Sequence, residues 1–177
     1  MKAAIIAVVG SKKSGKTTTI EALTRELVKR GFKVAAVKHV SEPDFTMDTK
    51  GKDTWRFAQA GARTVILAST NEVATIEKTG LKNLSMDLIL KKCEENDVIL
   101  LEGFRKFVGK NESVHKIVVV KSAEEALEAE KSFVPILAFT GSYSTQKLDL
   151  RVPYVDALVE PEKLADIVEE VVKKKLQ

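Results

Sequence analysis

Cysteine is nearly missing from this 177-residue chain, where Cys93 is the only one. A lone cysteine excludes an intrachain disulfide framework and a zinc site built from several thiolates of one chain, and it fits a reducing compartment. Histidine is almost as scarce: with only His39, His115 and Cys93 as soft ligands, the chain lacks the makings of a transition-metal cluster. Long apolar runs are absent too, none approaching the roughly 20 residues that span a bilayer, so no membrane partner is expected. The N-terminal run Ala3 to Val9 is short, gives way to Gly10-Ser11-Lys12-Lys13, and carries no small-residue cleavage pattern, so it reads as a strand and not a leader. A cytoplasmic location is the expectation. Asn and Gln number only 4 and 3 against 23 Lys and 17 Glu, a balance that points to a thermophilic source.

Charge of one sign is not in large excess. The 29 basic and 25 acidic residues leave a net +4, and they are interspersed along the sequence, which gives a solvated Lys/Glu surface and not a nucleic-acid stripe. No nucleic-acid partner is expected. With 44% hydrophobic residues the chain can bury a core, and its length suits one domain over residues 1–177.

Ala3 to Val9 is a continuous apolar run ending at a glycine, as in a strand covered on both faces of a parallel sheet. Thr18 to Arg30 supplies a helix with Ile20, Leu23, Leu27 and Val28 on one stripe and Gly31 at its end. Lys33 to Lys38 returns as a strand, and Val40 to Lys52 has neither period and reads as a long loop. Asp53 to Ala60 suits a short helix. Arg63 to Ala68 and Glu72 to Glu77, joined by Ser69-Thr70-Asn71, predict a hairpin adding antiparallel pairing to the sheet. Ser85 caps a helix with stripe Met86, Ile89, Leu90 and Cys93, which makes Cys93 a core residue. Val98 to Leu101, Lys116 to Val120 and Val134 to Phe139 are further strands, with a helix over Ala123 to Lys131, and Pro161 opens a last helix striped by Leu164, Ile167, Val168, Val171 and Val172. Strands alternating with helices predict an α/β fold with a mainly parallel sheet.

Gly10-Ser11-Lys12-Lys13-Ser14-Gly15-Lys16-Thr17 has the G-x-x-x-x-G-K-[ST] spacing and lies between a buried strand and a helix, where a phosphate-binding loop (P-loop) belongs. Gly10 and Gly15 permit the backbone to turn its N–H groups inward around phosphate oxygens at a helix N-terminus. Lys16 would bridge the β- and γ-phosphates and the Thr17 hydroxyl would ligate Mg²⁺. Val98 to Leu101 followed by Glu102 and Gly103 offers the second element such sites need, an apolar strand ending in a carboxylate for the metal, with Gly103 letting the backbone pass near the γ-phosphate. Lys38 and His39 fall at the carboxyl end of a strand, the edge where open α/β sheets bind ligands; His39 stays open between a ligand and a structural role. Gly51-Lys52-Asp53-Thr54-Trp55-Arg56 gathers two cations and a carboxylate, with Trp55 read as a core anchor and Lys52 and Arg56 as candidates for a second anionic ligand. Gln146-Lys147-Leu148-Asp149 is only faintly like a guanine-reading Asn-Lys-x-Asp element and does not decide the base.

Gly10 to Thr18, Lys38-His39, Gly51 to Arg56 with Ala60-Gly61-Ala62, and Leu101-Glu102-Gly103-Phe104 occur in an order that resembles the molybdopterin-guanine dinucleotide biosynthesis protein B (MobB) family. The likeness covers roughly residues 1 to 105. It implies a P-loop NTPase three-layer sandwich, GTP with Mg²⁺ as ligand, a homodimer, and an accessory role beside a molybdopterin guanylyltransferase, with molybdopterin as a second ligand. By position, Gly10, Ser11, Lys12, Lys13, Ser14, Gly15, Lys16, Thr17 and Thr18 would hold GTP, and Thr17 and Glu102 the metal. Lys38, His39, Asp48, Gly51, Lys52, Asp53 and Arg56 would line a switch-like loop, with His39, Asp48 and Asp53 the candidates for orienting water. Family members often carry extra histidines after the Lys-His pair; here Val40-Ser41-Glu42-Pro43-Asp44 stands in their place, so no role for those histidines carries over.

Three classes follow. The first is a GTP-binding accessory protein with weak Mg²⁺-dependent hydrolysis. The second is a small-molecule P-loop kinase, for which Arg56, Arg105 and Arg151 are too scattered to form a lid. The third is a nucleotide-gated metallochaperone, which lacks the ligands.

Overall fold

The structure, a computed structural model, describes residues 3–42, 44–78, 85–146 and 148–176. Its elements run β1 (Ala4–Gly10), α1 (Lys16–Lys29), β2 (Val34–Lys38), α2 (Asp53–Gln59), β3 (Thr64–Ala68), β4 (Val73–Glu77), α3 (Met86–Lys92), β5 (Val98–Glu102), α4 (Arg105–Val108), β6 (His115–Val120), α5 (Ala123–Ser132), β7 (Ile136–Gly141) and α6 (Pro161–Leu176). Two units form by contact, Met1–His39 with Lys92–Gln177, and Val40–Lys91.

In the first unit five parallel strands are ordered β2-β5-β1-β6-β7. The apolar run of β1 puts it at the centre, where six of its seven residues are buried because both faces are covered. Ile6 and Val8 point with Leu100, Ile117 and Val119 into a layer packed by Ile20, Leu23 and Leu27 of α1 and Leu164, Val168 and Val172 of α6. The unit is thus α/β with a parallel sheet, as the alternation of elements predicts. Val28, expected on the α1 stripe, is 56% exposed. It lies about 80° round the helix from Ile20, past the buried edge; Thr19 and Ala22 are buried instead. α6 is tied to α1 by Arg30, whose guanidinium donates to Asp166 and Glu169 at 2.7 Å each and to the Glu162 carbonyl at 2.9 Å.

In the second unit β3 and β4 pair antiparallel, Val65 opposite Ile76, as a two-stranded sheet of their own. The hairpin is where the sequence predicts it, but it does not extend the parallel sheet. β4 alternates exposed and half-buried residues, a one-face pattern unlike that of a strand covered on both sides. Ser69 closes the turn, its hydroxyl accepting from the N–H groups of Asn71 and Glu72. Trp55 is half-buried, and α2 has no buried residue, so the expected core anchor is absent there. At α3 the Ser85 hydroxyl accepts from Leu88 N at 3.1 Å, the cap that was expected. Cys93, which belongs to the first unit, is buried, and burial pushes its thiol pKa up, as suits a core residue.

Candidate functional site

At the carboxyl end of β1 the chain must turn tightly against β6. Gly10 is paired with Val119, and a Cβ on it would lie 2.4 Å from the Val119 carbonyl oxygen and 2.8 Å from Ser14 Oγ, so only glycine fits. Gly15 opens α1 with φ 100° and ψ 14°, a left-handed conformation that favours glycine. Lys13 also has positive φ, at 59°, a strained value of the kind that collects at functional loops.

No side chain caps α1, and its first turn holds no acidic residue. Its first N–H groups are therefore left for an outside acceptor, and the helix dipole favours an anion there. Two hydroxyl oxygens of the loop, Ser11 Oγ and Ser14 Oγ, are buried and have no hydrogen-bond partner among the described residues. Lys16 donates to the Ser11 carbonyl at 2.6 Å, so its ammonium arches over the loop. Burial pulls its pKa below the usual lysine value; Glu102 opposes that shift, and Lys121 and Lys38 add to it.

The next strand over supplies the acid. β5 pairs with β1 so that Glu102 stands opposite Val8, and with β2 so that Glu102 stands opposite Lys38. The Thr17 hydroxyl lies 3.1 Å from each carboxylate oxygen of Glu102, and Lys38 Nζ lies 3.2 Å from Oε1. An uncapped helix N-terminus, buried unpartnered hydroxyls, an arched ammonium and a hydroxyl–carboxylate pair form a set of groups that fits the phosphate chain of a nucleotide with a hard divalent cation.

Of the residues read from sequence, Gly10 to Thr18, Lys38, His39, Glu102 and Gly103 share this edge of the first unit. The His39 ring packs against Phe104 at 5.2 Å and Phe107 at 6.4 Å between centroids, and its backbone N–H donates to the Glu102 carbonyl, which favours the structural side of its two readings. Gly103 N–H donates to the Val8 carbonyl at 3.1 Å, so it is engaged in the sheet edge and not turned to a phosphate. Asp48, Gly51, Lys52, Asp53 and Arg56 belong to the second unit. There Asp48 Oδ1 accepts from Thr54 Oγ1 at 2.7 Å and from Thr49 N at 2.9 Å, tying the loop to the start of α2. Asp53 and Arg56 form an exposed pair at 3.8 Å.

Sequence reasoning passed over Lys121. It follows β6 directly, its ammonium donates to the Lys12 carbonyl at 3.2 Å, and it lies 3.9 Å from Glu125. A cation just past the end of a buried strand, the signal used for Lys38, was available in Val118-Val119-Val120-Lys121. Arg105 was also missed as a site neighbour. It pairs with Glu128 at 2.9 Å, lies over the Phe133 ring, and lines a cavity of ≈ 140 Å³ together with Gly10 and Ser11.

A family model for molybdopterin guanine dinucleotide synthesis protein B matches residues 5–140. The chain is 36% identical over 104 residues to the molybdopterin-guanine dinucleotide biosynthesis adapter protein of Haemophilus influenzae, covering 58% of this chain and 57% of that one. It is 32% identical over 111 residues to the protein of the same description from Escherichia coli, covering 61% and 60%. The matches thus span less than two thirds of either relative. A crystal structure of molybdopterin-guanine biosynthesis protein B superposes with TM-score 0.73 at 28% identity, over 96% of this chain and 99% of that one. Bacillus subtilis MobB, at 24% identity and TM-score 0.69, shares the fold.

Proposed function

Since the chain belongs to the molybdopterin guanine dinucleotide synthesis protein B family, we propose that it is a cytoplasmic, homodimeric GTP-binding adapter that aids the attachment of GMP to molybdopterin beside a guanylyltransferase and hydrolyses GTP slowly with Mg²⁺. The relatives are described as adapters in molybdopterin-guanine dinucleotide biosynthesis. The observation that carries the nucleotide part is the meeting of Thr17 and Glu102 at 3.1 Å, next to a P-loop whose helix has no cap of its own.

The backbone N–H groups from Ser11 to Thr18 bind phosphate oxygens, and Lys16 turns from Ser11 to the β- and γ-phosphates. Thr17 Oγ1 and the Glu102 carboxylate hold the cation. When bound, Mg²⁺ neutralises phosphate charge as a Lewis acid. Lys16 and the loop N–H groups stabilise charge that grows as the γ-phosphoryl group is transferred. Of the three candidates to orient the attacking water, His39 alone belongs to the unit that carries the loop, and Asp48 and Asp53 belong to the other. Lys38 stands beside Glu102 in the first unit, and in the second unit Gly51, Lys52 and Arg56 belong to a loop and helix start whose two cations are available to a second anionic ligand such as the phosphate of molybdopterin. Exposed apolar side chains on one face of the second unit's hairpin, Ile66 and Val73, offer a surface for the homodimer.

Phosphate release from GTP separates this reading from a kinase. Slow, Mg²⁺-dependent release with no added acceptor is the expected result. GDP formed only when an alcohol or nucleoside acceptor is added, with the phosphoryl group carried on that acceptor and no free phosphate, would favour the kinase instead.

A further inference from the structure

The Glu102 carboxylate is approached by two groups with opposite needs. Thr17 and Glu102 converge as a pair of oxygen ligands would around a hard cation. Yet Oε1 of that carboxylate already faces the Lys38 ammonium at 3.2 Å. This contact is built into the sheet: Lys38 and Glu102 are register partners on neighbouring parallel strands, which puts their side chains on the same face. Glu102 is only 14% exposed, so its charge is costly to leave uncompensated. Lys38 is 58% exposed, carried on a flexible stem, and has Glu102 as its only ion-pair partner among the described residues. Lys16 feels the Glu102 charge, but its ammonium is bonded to the Ser11 carbonyl and forms no ion pair with Glu102 within 4.0 Å among the described residues.

We propose that Lys38 is a tethered counter-cation for Glu102 that competes with the divalent metal for the carboxylate, so that metal entry requires the ammonium to swing off Glu102. The inference rests on reading this edge as the nucleotide site. In the metal-free protein Lys38 keeps Glu102 neutralised and holds the Thr17–Glu102 pair in place. As the metal binds, the released ammonium becomes one more cation beside the phosphates. Lys38 is thus a positioning residue that sets the metal concentration at which the site loads.

The test is a titration of Mg²⁺ into protein mixed with a saturating fluorescent GTP analogue, for wild type, Lys16→Ala, Lys38→Met and Lys38→Arg. Lys38→Met keeps the stem and removes the charge, and its half-saturating Mg²⁺ is expected to fall about fivefold, the ratio a partly exposed ion pair supports. Lys38→Arg, with a forked cation suited to a carboxylate, is expected to shift the midpoint upward. Superimposable midpoints in all three Lys16-containing proteins would overturn the proposal, as would a higher midpoint in Lys38→Met. If those midpoints coincide while Lys16→Ala still binds the nucleotide more weakly than wild type, the competition fails and the nucleotide reading stands. If wild type binds no nucleotide, both fail together.

Discussion

At the residue scale, Lys16 and Gly10 act in different ways. Lys16 offers a charge-assisted donor, and such a bond is worth about 1.5–3 kcal/mol. Lys16→Ala should therefore weaken GTP binding by about tenfold to a hundredfold by that measure, read by calorimetry, while leaving the urea midpoint near that of wild type. Gly10→Ala should harm both, because a Cβ 2.4 Å from the Val119 carbonyl forces β1 and β6 apart; the expected stability loss is about 1–3 kcal/mol. Lys116 is a third case. It is fully buried and donates to the carbonyls of Asn111 and Val134, and desolvation lowers its pKa from 10.5 to about 8. Its folded pKa lies below its unfolded one, so below pH 8 both states are protonated and burial of the charge opposes folding in full. From about pH 8 to 10.5 the unfolded chain holds the extra proton, and stability rises with pH. Urea unfolding at intervals over that window should show wild type gaining on Lys116→Met. Gly10, Gly15, Lys16 and Thr17 could be read from sequence because their chemistry rests on spacing within eight residues. Lys116 acts through strand register and distant carbonyls, which no local pattern carries, whereas Lys121 had the same strand-end signal as Lys38.

At the element scale, α1 and the hairpin show what a hydrophobic pattern can and cannot specify. The α1 stripe correctly marks Leu23 and Leu27, both fully buried. Leu23→Ala should cost about 2–5 kcal/mol by leaving a cavity between the sheet and α1. Val28→Ala should stay within about 0.5 kcal/mol, because that side chain is largely in solvent. Chemical denaturation of the two variants checks the pair. The apolar content of Val28 made it look like core, and only the helix angle relative to β1 decides otherwise. The hairpin was legible from its turn and its two β-rich pieces, but its partner was not. Alternation gives a strand's period, and whether it joins the main sheet depends on contacts far away in sequence. The order β2-β5-β1-β6-β7 was likewise hidden, although it is what sets Glu102 beside both Val8 and Lys38.

At the scale of the whole molecule, the phosphate site is assembled from segments far apart in the chain, Gly10 to Thr18, Lys38 and Glu102, brought together by parallel pairing along one sheet edge. The segment Val40–Lys91 lies between β2 and β5 in sequence and forms its own unit, with Ile66 at 63% and Val73 at 69% exposure. If that face is where two copies meet, sedimentation should give the dimer mass for wild type, and Ile66→Glu with Val73→Glu should give monomer without unfolding the chain. An unchanged dimer would place the interface elsewhere. No described helix is long and apolar enough to cross a membrane. The central claim is that the Gly10 to Thr17 loop, with Glu102, holds a nucleotide through Mg²⁺. Calorimetric titration of GTP into wild type and Lys16→Ala, each with Mg²⁺ and with a chelator, tests it most directly. Saturable binding that needs Mg²⁺ and weakens about tenfold to a hundredfold without Lys16 is the expected result; no binding by wild type, or equal binding by the variant, would contradict it.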